Sequence, residues 1–386
     1  MEDTTPEKIN IYLRRLKIEN YKAIDELELF FPMPTLPNDP DVMVIGSKNG
    51  IGKTSILEAC SLLFFSALHG SAVFESIGRE LLENKGILEL LVRAGTERAL
   101  IKGEFYLDDI SFEVELTLSP ISGIHIKFDD MRKDLNCSVK RLEEMSSTKR
   151  VNSQLSPLLG SNNETTGNLE TKKIRKQVEK LLASIFGENY EPLILRKHLY
   201  FHAYRKVQEG SLSTGELINQ DSKDGKGSES IGSVFKMEIM RALMSQGGLF
   251  ENLGSKEESI EQMSKLNELM KEFAGGTIEK LRQNEDGSLE FRVTPLVGSD
   301  TYSFDGLSSG QKEIISTLFL IWKHTRENPG LVLIDEPELH LNAEWHRKFI
   351  RHLMKMAPEN QYIIATHSED IFDSVEEDRR IMIAKE

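Results

Sequence analysis

Apolar and polar positions fall into short runs of changing period, and the runs predict a mixed α/β protein. Between residues 11 and 31 they predict two strands. Tyr12, Leu13, Leu16 and Ile18 bear the apolar side chains of the first; Leu27, Leu29 and Phe31 alternate with Glu26 and Glu28 in the second. Glu19-Asn20-Tyr21-Lys22-Ala23-Ile24 lies between them, and Pro32, Pro34, Pro37 and Pro40 make an irregular connection afterwards. An apolar strand begins at Val42 and leads through a Gly-rich loop to a helix over residues 54–68, where Ile56, Leu57, Leu62, Leu63, Phe64 and Phe65 predict near-complete burial. A second helix is predicted over 74–91. The period then shortens to two: Ala99, Ile101, Gly103 and Phe105, then Ile110, Phe112, Val114, Leu116 and Leu118, then residues 123–128 read as an antiparallel meander with a turn at Asp108-Asp109.

The middle of the chain is less regular. Residues 129–189 are polar and rich in Lys and Glu, with Ser, Thr, Asn and Gly clusters at 146–167 that predict a disordered insert, and a helix at 169–186. A strand over 193–201 ends at His202-Ala203-Tyr204-Arg205, and the Gly/Ser/Asp-rich stretch 208–232 predicts a mobile connection. Helical spacing returns over 233–273, with Phe235, Ile239 and Leu243 at four-residue steps and Ile260, Met263, Leu266, Leu269, Met270 and Phe273 on one face; Gly275-Gly276 ends it. Strands follow at 289–293 and 302–304. Then come an apolar helix (Ile314, Ile315, Leu318, Phe319, Ile321, Trp322), a strand of unbroken apolar residues at 331–334, a helix at 343–356 and a strand from Gln361. There is no internal repeat and no long heptad run, so no coiled-coil arm is expected.

Composition narrows this picture. With 386 residues, 39% hydrophobic and 28% charged, the chain can bury a sizeable core. It has no apolar run of about 18 residues, so no membrane span is expected. The opening Met-Glu-Asp-Thr-Thr-Pro-Glu is unlike a secretory signal, and two cysteines, Cys60 and Cys137, without metal or redox spacing read as free thiols in a reducing cytoplasm. The net charge of −14 weighs against a nucleic-acid surface over the whole chain while leaving room for a local basic groove.

The chemistry concentrates at four places. Gly46-Ser47-Lys48-Asn49-Gly50-Ile51-Gly52-Lys53-Thr54-Ser55 joins a strand to a helix N-terminus, the arrangement in which backbone N–H groups bind polyphosphate, a Lys reaches the terminal phosphates and a Thr hydroxyl ligates Mg²⁺. It departs from the usual loop pattern in having Ser47 where Gly is expected. Leu307-Ser308-Ser309-Gly310-Gln311 opens a helix and reads either as a plain N-cap or as a second anion site, because hydroxyls, open N–H groups and the helix dipole meet there. Leu331-Val332-Leu333-Ile334-Asp335-Glu336-Pro337-Glu338 places carboxylates at the end of a buried strand, where open α/β sheets bind ligands; Asp335 suits Mg²⁺ and Glu336 suits a general base. Ile363-Ile364-Ala365-Thr366-His367-Ser368 ends another buried strand in a His able to donate to a γ-phosphate.

Together, and in this order, these motifs resemble the ABC-type ATPase heads of the SMC, RecF and OLD group, over about residues 10–70 and 300–386. Asp335-Glu336-Pro337-Glu338-Leu339-His340-Leu341 followed by Ala365-Thr366-His367-Ser368 is most similar to OLD-type ATPases, including those of bacterial antiviral systems. The resemblance implies an α/β ABC head with a mixed or parallel core sheet, an antiparallel meander and an inserted helical lobe. Its divisions would be an N-terminal part (1–130), the inserted lobe (131–290) and a C-terminal part (291–386). It implies ATP and Mg²⁺ as ligands and an ATP-sandwich homodimer or larger homo-oligomer. Asn49, Gly50, Gly52, Lys53, Thr54 and Ser55 would face Ser308, Ser309, Gly310 and Gln311 of the second copy. Thr54 and Asp335 would hold the metal, Glu336 would be the catalytic base and His367 a γ-phosphate sensor. Lys22 occupies the place of a basic residue near the phosphates, and Gln208 is the candidate for the metal-binding Q-loop glutamine. Only 19 residues follow His367, so no attached nuclease domain is expected. The expected role is an ATPase sensor or scaffold controlling a separate effector, a nuclease or toxin, in antiviral defence. The alternative is a RecF-like ATP-gated DNA clamp, with Lys172, Lys173, Arg175, Lys176 and Lys180 along one helix.

Overall fold

The computed structural model describes residues 11–34, 39–47, 52–69, 86–107, 110–128, 179, 181, 193–195, 197–203, 234–246, 255–283, 285, 289–339 and 341–383. Strand β1 (Ile11–Tyr21) turns back at once into β2 (Ile24–Phe30). The chain then leaves for β3 (Asp41–Ser47), in a different sheet. The meander forms as its period-two pattern predicts, as β4 (Ala99–Leu107), β5 (Ile110–Ser119) and β6 (Gly123–Phe128). β1 also pairs with β4, so the first hairpin and the meander are one antiparallel sheet in the order β2-β1-β4-β5-β6.

The core sheet draws its strands from distant parts of the chain. Its order is β14-β3-β13-β12-β8-β7, with β7 (Leu193–Leu195), β8 (His198–Phe201), β12 (Leu331–Asp335), β13 (Gln361–Thr366) and β14 (Arg380–Ile383). All neighbours are parallel except β7 and β8. β12 and β13 are buried at every residue, which explains their unbroken apolar runs: helices cover both faces of such a sheet. A small antiparallel sheet of β9 (Gly276–Gln283), β10 (Leu289–Pro295) and β11 (Tyr302–Ser303) completes the strands described.

Helix α1 (Lys53–His69) lies between the antiparallel sheet and the core sheet. Residues 62–65 are wholly buried there beside Leu13, Phe105 and Val114 of one sheet and Leu333 and Ile363 of the other. The opposite face of the core sheet, through Val44, Phe201, Ile334 and Ile364, packs on α3 (Val234–Gln246), α4 (Lys256–Ala274), α5 (Ser309–Thr325) and α6 (Ala343–Met356). Two short helices, α2 (Ile87–Leu91) and α7 (Glu369–Phe372), flank the sheets. No helix among the described residues is long and apolar enough to cross a membrane.

The two sheets are tied by polar groups. A bulge in β1 between Leu13 and Arg15 lets Arg14 turn inward, and its guanidinium donates to both oxygens of Asp41 at 3.1 and 2.8 Å. The Gln361 side chain bridges the Leu13 backbone, accepting from its N–H at 2.9 Å and donating to its carbonyl at 2.8 Å.

Several expectations are corrected. Residues 193–201 form two strands, because Lys197 takes a left-handed conformation (φ 60°) and reverses the chain. Both strands lie inside the stretch 131–290, yet they belong to the core sheet. The helical stretch 233–273 is two helices, α3 and α4; α4 begins at the Ser255 cap and ends at Gly275 (φ 63°), as the glycine predicts. Ile260 is 52% exposed and is off the buried face of α4. Phe304 starts a 3₁₀ turn rather than ending a strand. Of the helix predicted at 74–91, the described part is α2. The helix at 169–186 lies outside the described residues save Glu179 and Leu181, as do the segments 146–167 and 208–232, Cys137, and the turn at Asp108-Asp109.

Candidate functional site

Three parallel strands deliver the motifs to one edge. Thr366 of β13 is level with Gly46 of β3, and Asp335 of β12 with Ala365 of β13. In this register the residues just beyond the strands lie side by side at one end of the sheet. The loop residues Lys48, Asn49, Gly50 and Ile51 lie outside the described residues. The chain reappears at Gly52 (φ 87°), where a Cβ would be 3.1 Å from Ile24 Cγ1, so glycine suits both the backbone and the space. Lys53 then starts α1.

Lys53 is 5% exposed, and its ammonium meets the His367 ring, 2.7 Å from Nε2 and 3.2 Å from Nδ1. The Thr54 hydroxyl donates to Asp335 Oδ2 at 2.8 Å, and Asp335 is wholly buried. Ser55 is buried behind them. Glu336 is the first residue past β12 and holds a left-handed backbone (φ 45°) although it is not glycine and precedes a proline; its N–H donates to the Ala365 carbonyl at 2.8 Å. That turn brings Glu336 Oε1 within 3.3 Å of His367 Nε2. Burial pushes the Lys53 ammonium below its ordinary pKa, and the charges of Glu336, Asp335 and Glu338 oppose the shift.

The donors fit a metal-bound polyphosphate. Two oxygens 2.8 Å apart, from Thr54 and Asp335, match the spacing of neighbouring ligands around Mg²⁺, whose bonds are roughly 2.0–2.1 Å. Both are hard oxygen donors; the adjoining Lys53 ammonium supplies positive charge for phosphate oxygens, and the His367 ring can supply an N–H donor.

The Ser308-Ser309-Gly310-Gln311 segment begins α5. Ser308 and Gln311 form a capping box: Ser308 Oγ accepts from the Gln311 N–H at 3.3 Å, and Gln311 Oε1 accepts from the Ser308 N–H at 3.0 Å. Gln311 Nε2 donates to the Phe273 carbonyl at 3.0 Å, tying the turn to α4. Ser308 and Ser309 are exposed, and Gly310 is buried. The N-cap role is therefore present, and the same helix start faces outward. Two lysines brace it: the ammonium of Lys236, 2% exposed on α3, donates to Asp305 Oδ1 at 2.6 Å, and Lys312 donates to the Asp305 carbonyl at 3.1 Å.

Lys22 sits in the β1–β2 turn, also left-handed (φ 49°), and donates to Glu58 Oε2 at 2.6 Å one helical turn beyond Thr54. Burial pushes the Glu58 carboxyl up, and Lys22 pulls it back. Gln208 and the basic residues Lys172, Lys173, Arg175, Lys176 and Lys180 lie outside the described residues. Cys60 is a buried free thiol, its pKa raised by burial. Glu58, Lys236 and Glu338 are the polar residues that sequence reasoning left without a role. Glu338 has the closest bearing on the site: its Oε2 accepts from the Thr366 hydroxyl at 2.7 Å and its Oε1 from the His367 N–H at 2.5 Å. Its position two residues past Glu336 was the available signal.

Comparison with known proteins places the chain in a family. Residues 12–372 match the family model of the AAA ATPase domain. Over 157 residues the chain is 27% identical to the retron Vc95 probable ATPase of Vibrio cholerae serotype O1 biovar El Tor, covering 38% of this chain and only 29% of that protein. Among solved structures, an SMC head bound to the C-winged helix domain of ScpA aligns at a TM-score of 0.50 and 14% identity over 97% of this chain and 94% of that one. The SMC head domain from Thermotoga maritima aligns at 0.43 and 14%, over 94% and 92%. The first of these, at a TM-score of 0.50, shows that the chain shares the fold of that ATPase head.

Proposed function

This chain belongs to the AAA ATPase domain family, and from that premise we propose that it binds and hydrolyses ATP in a composite site between two copies of itself, and so controls a separate effector. The observation that carries the reading is the meeting of Lys53, Thr54, Asp335, Glu336 and His367 at one sheet edge. In it the Lys53 ammonium and the backbone from Asn49 to Ser55 bind the phosphates, and Thr54 and Asp335 hold Mg²⁺, which screens phosphate charge when bound. Glu336 takes a proton from the attacking water as the bond to the departing ADP oxygen breaks. His367 donates to the γ-phosphate. Lys22, freed from or sharing Glu58, adds positive charge beside the phosphates.

Ser308, Ser309, Gly310 and Gln311 complete the site from a second copy. Support for this comes from the outward-facing start of α5, where Ser308 and Ser309 are exposed. The effector is a nuclease or toxin of an antiviral defence system, and the ATPase is its sensor or scaffold. The matching stretch of a protein named as a retron ATPase supports this role.

Light scattering with and without ATP–Mg²⁺, on wild type and Glu336→Gln, tests the reading. ATP should raise the mass to a dimer or more, and Glu336→Gln should hold it there by blocking turnover. A monomer under every condition would defeat the sandwich. Salt-dependent binding of duplex DNA would point instead to a clamp, against which the net charge of −14 weighs.

A further inference from the structure

The Glu338 carboxylate spends both of its oxygens on the segment that carries His367. Oε2 accepts from the Thr366 hydroxyl and Oε1 from the His367 N–H, residues 28 and 29 positions away in sequence. Thr366 Oγ1 in turn accepts from the Ser368 N–H at 3.0 Å, so one carboxylate orders three successive residues at the end of β13. The same turn is held from its other side by the Glu336 N–H on the Ala365 carbonyl. Glu336, with its left-handed backbone, is therefore bracketed between two attachments to β13. Beyond them, the His367 ring lies between Lys53 Nζ, at 2.7 Å, and Glu336 Oε1, at 3.3 Å.

A second joint limits the far side of the turn after β13, the switch that carries His367. His346 on α6 lies 3.1 Å from the Leu341 carbonyl through Nε2, so Nε2 carries the proton, and Nδ1 can accept from the Ser368 hydroxyl at 3.2 Å. The switch is thus anchored on both sides by the segment that follows β12. The His367 ring itself is one-third exposed, and its orientation depends on the backbone that these contacts hold.

We propose that Glu338 is a positioning residue: by gripping the Thr366 hydroxyl and the His367 N–H, it fixes the His367 ring between Lys53 and Glu336. The proposal rests on the ATPase reading above, which gives His367 its task. A displacement of about 1 Å in a reacting group can cost about a hundredfold in rate.

The experiment uses the full chain as wild type, Glu338→Gln, Thr366→Val, His367→Ala and the Glu338→Gln/His367→Ala double variant. It measures kcat, the Kd for ATP with Mg²⁺, and the His367 ring signals by NMR without nucleotide, assigned by their loss in His367→Ala. Gln keeps one oxygen for the His367 N–H but presents an amide NH₂ where Thr366 now donates, so the Thr366 hydroxyl must reverse its role and the carboxylate charge is lost. As a result kcat should fall about tenfold to a hundredfold while Kd changes by less than about twofold. The His367 signals should shift or split, and the double variant should be no slower than His367→Ala. Thr366→Val, which leaves Glu338 in place, should move the same signals and lower kcat in the same direction; it answers the question if Glu338→Gln fails to fold. An unchanged kcat, a loss that multiplies with that of His367→Ala, or His367 signals that stay where they are would each overturn the proposal. A wild type without turnover would instead defeat the ATPase reading, and the His367 signals would then decide the positioning role on their own.

Discussion

Thr54→Val removes one hydroxyl at nearly constant volume, so it leaves no cavity and isolates a single contact. The lost bond is the 2.8 Å donation to Asp335, a carboxylate with no exposed surface. Taking a donor from a buried acceptor costs about 1–3 kcal/mol. With an unfolding entropy of about 2.1 cal/mol/K per residue, a chain of 386 residues loses roughly 1–4 °C of Tm. The same hydroxyl is a proposed Mg²⁺ ligand, so a second effect follows. At a hundred times its Kd, a nucleotide stabilises wild type by about 2.7 kcal/mol, or roughly 3 °C. Thr54→Val should lose most of that rise in Mg²⁺ and resemble wild type in EDTA, whereas Thr54→Ser should keep both. Differential scanning fluorimetry with a slowly hydrolysed ATP analogue reads all four conditions. An unchanged Tm without ligand would contradict the buried contact. A full Mg²⁺-dependent rise in Thr54→Val would contradict the metal assignment.

Two further outcomes concern the scaffold. Burial holds His324 on α5 below its ordinary pKa of 6.5, so as pH falls the unfolded chain takes up the proton first. The stability it contributes is present above pH 6.5 and is lost as pH falls toward the depressed folded value. His324→Leu should therefore flatten the decline of Tm between pH 7 and about 5; an unaltered slope would show that His324 does not titrate differently on folding. Gly103 on β4 lies where a Cβ would be 2.3 Å from Leu63 Cδ2 and 3.0 Å from Leu13 Cδ1, so Gly103→Ala should lower stability by about 1–3 kcal/mol in urea unfolding, and Leu63→Val should recover part of the loss. Full stability in Gly103→Ala alone would mean that the Leu63 and Leu13 side chains give way at little cost.

The readable parts of this fold are those whose local pattern has one physical cause. β12 and β13 are unbroken apolar runs because both faces are covered, and each run stops where chemistry begins, at Asp335 and at Thr366. The cap at Ser308 and the glycine stop at Gly275 were legible for the same reason, being local backbone chemistry. What stayed hidden depends on partners far away in sequence. The apolar residues of β1 predict a strand but do not say that β4 is its neighbour. Residues 193–201 look like one apolar strand, and only Lys197, by turning left-handed, makes them two. β9, with Glu279, Lys280, Arg282 and Gln283, is too polar on both sides to declare itself. Ile260 follows a helical period yet faces outward, because the packing of α3 and α5 decides which face of α4 is covered. Glu338 is plain in the sequence, but its hold on the switch exists only once β12 and β13 lie side by side.

The order of strands in the core sheet also governs when the site can come into being. β3 is made early, yet both of its neighbours, β13 and β14, come from the last part of the chain. Lys53 and His367 are 314 residues apart, and at about 5–20 residues per second a ribosome needs roughly 15–60 s to traverse that interval. Through that time the antiparallel sheet can close over α1, because β1, β2, β4, β5 and β6 are complete by Phe128. β3 meanwhile remains an apolar strand without partners. A nascent chain is thus a folded half carrying an unformed nucleotide site, and the capacity to engage ATP arrives in a single late step. Such timing makes the unpaired β3 the segment that most needs shielding during synthesis.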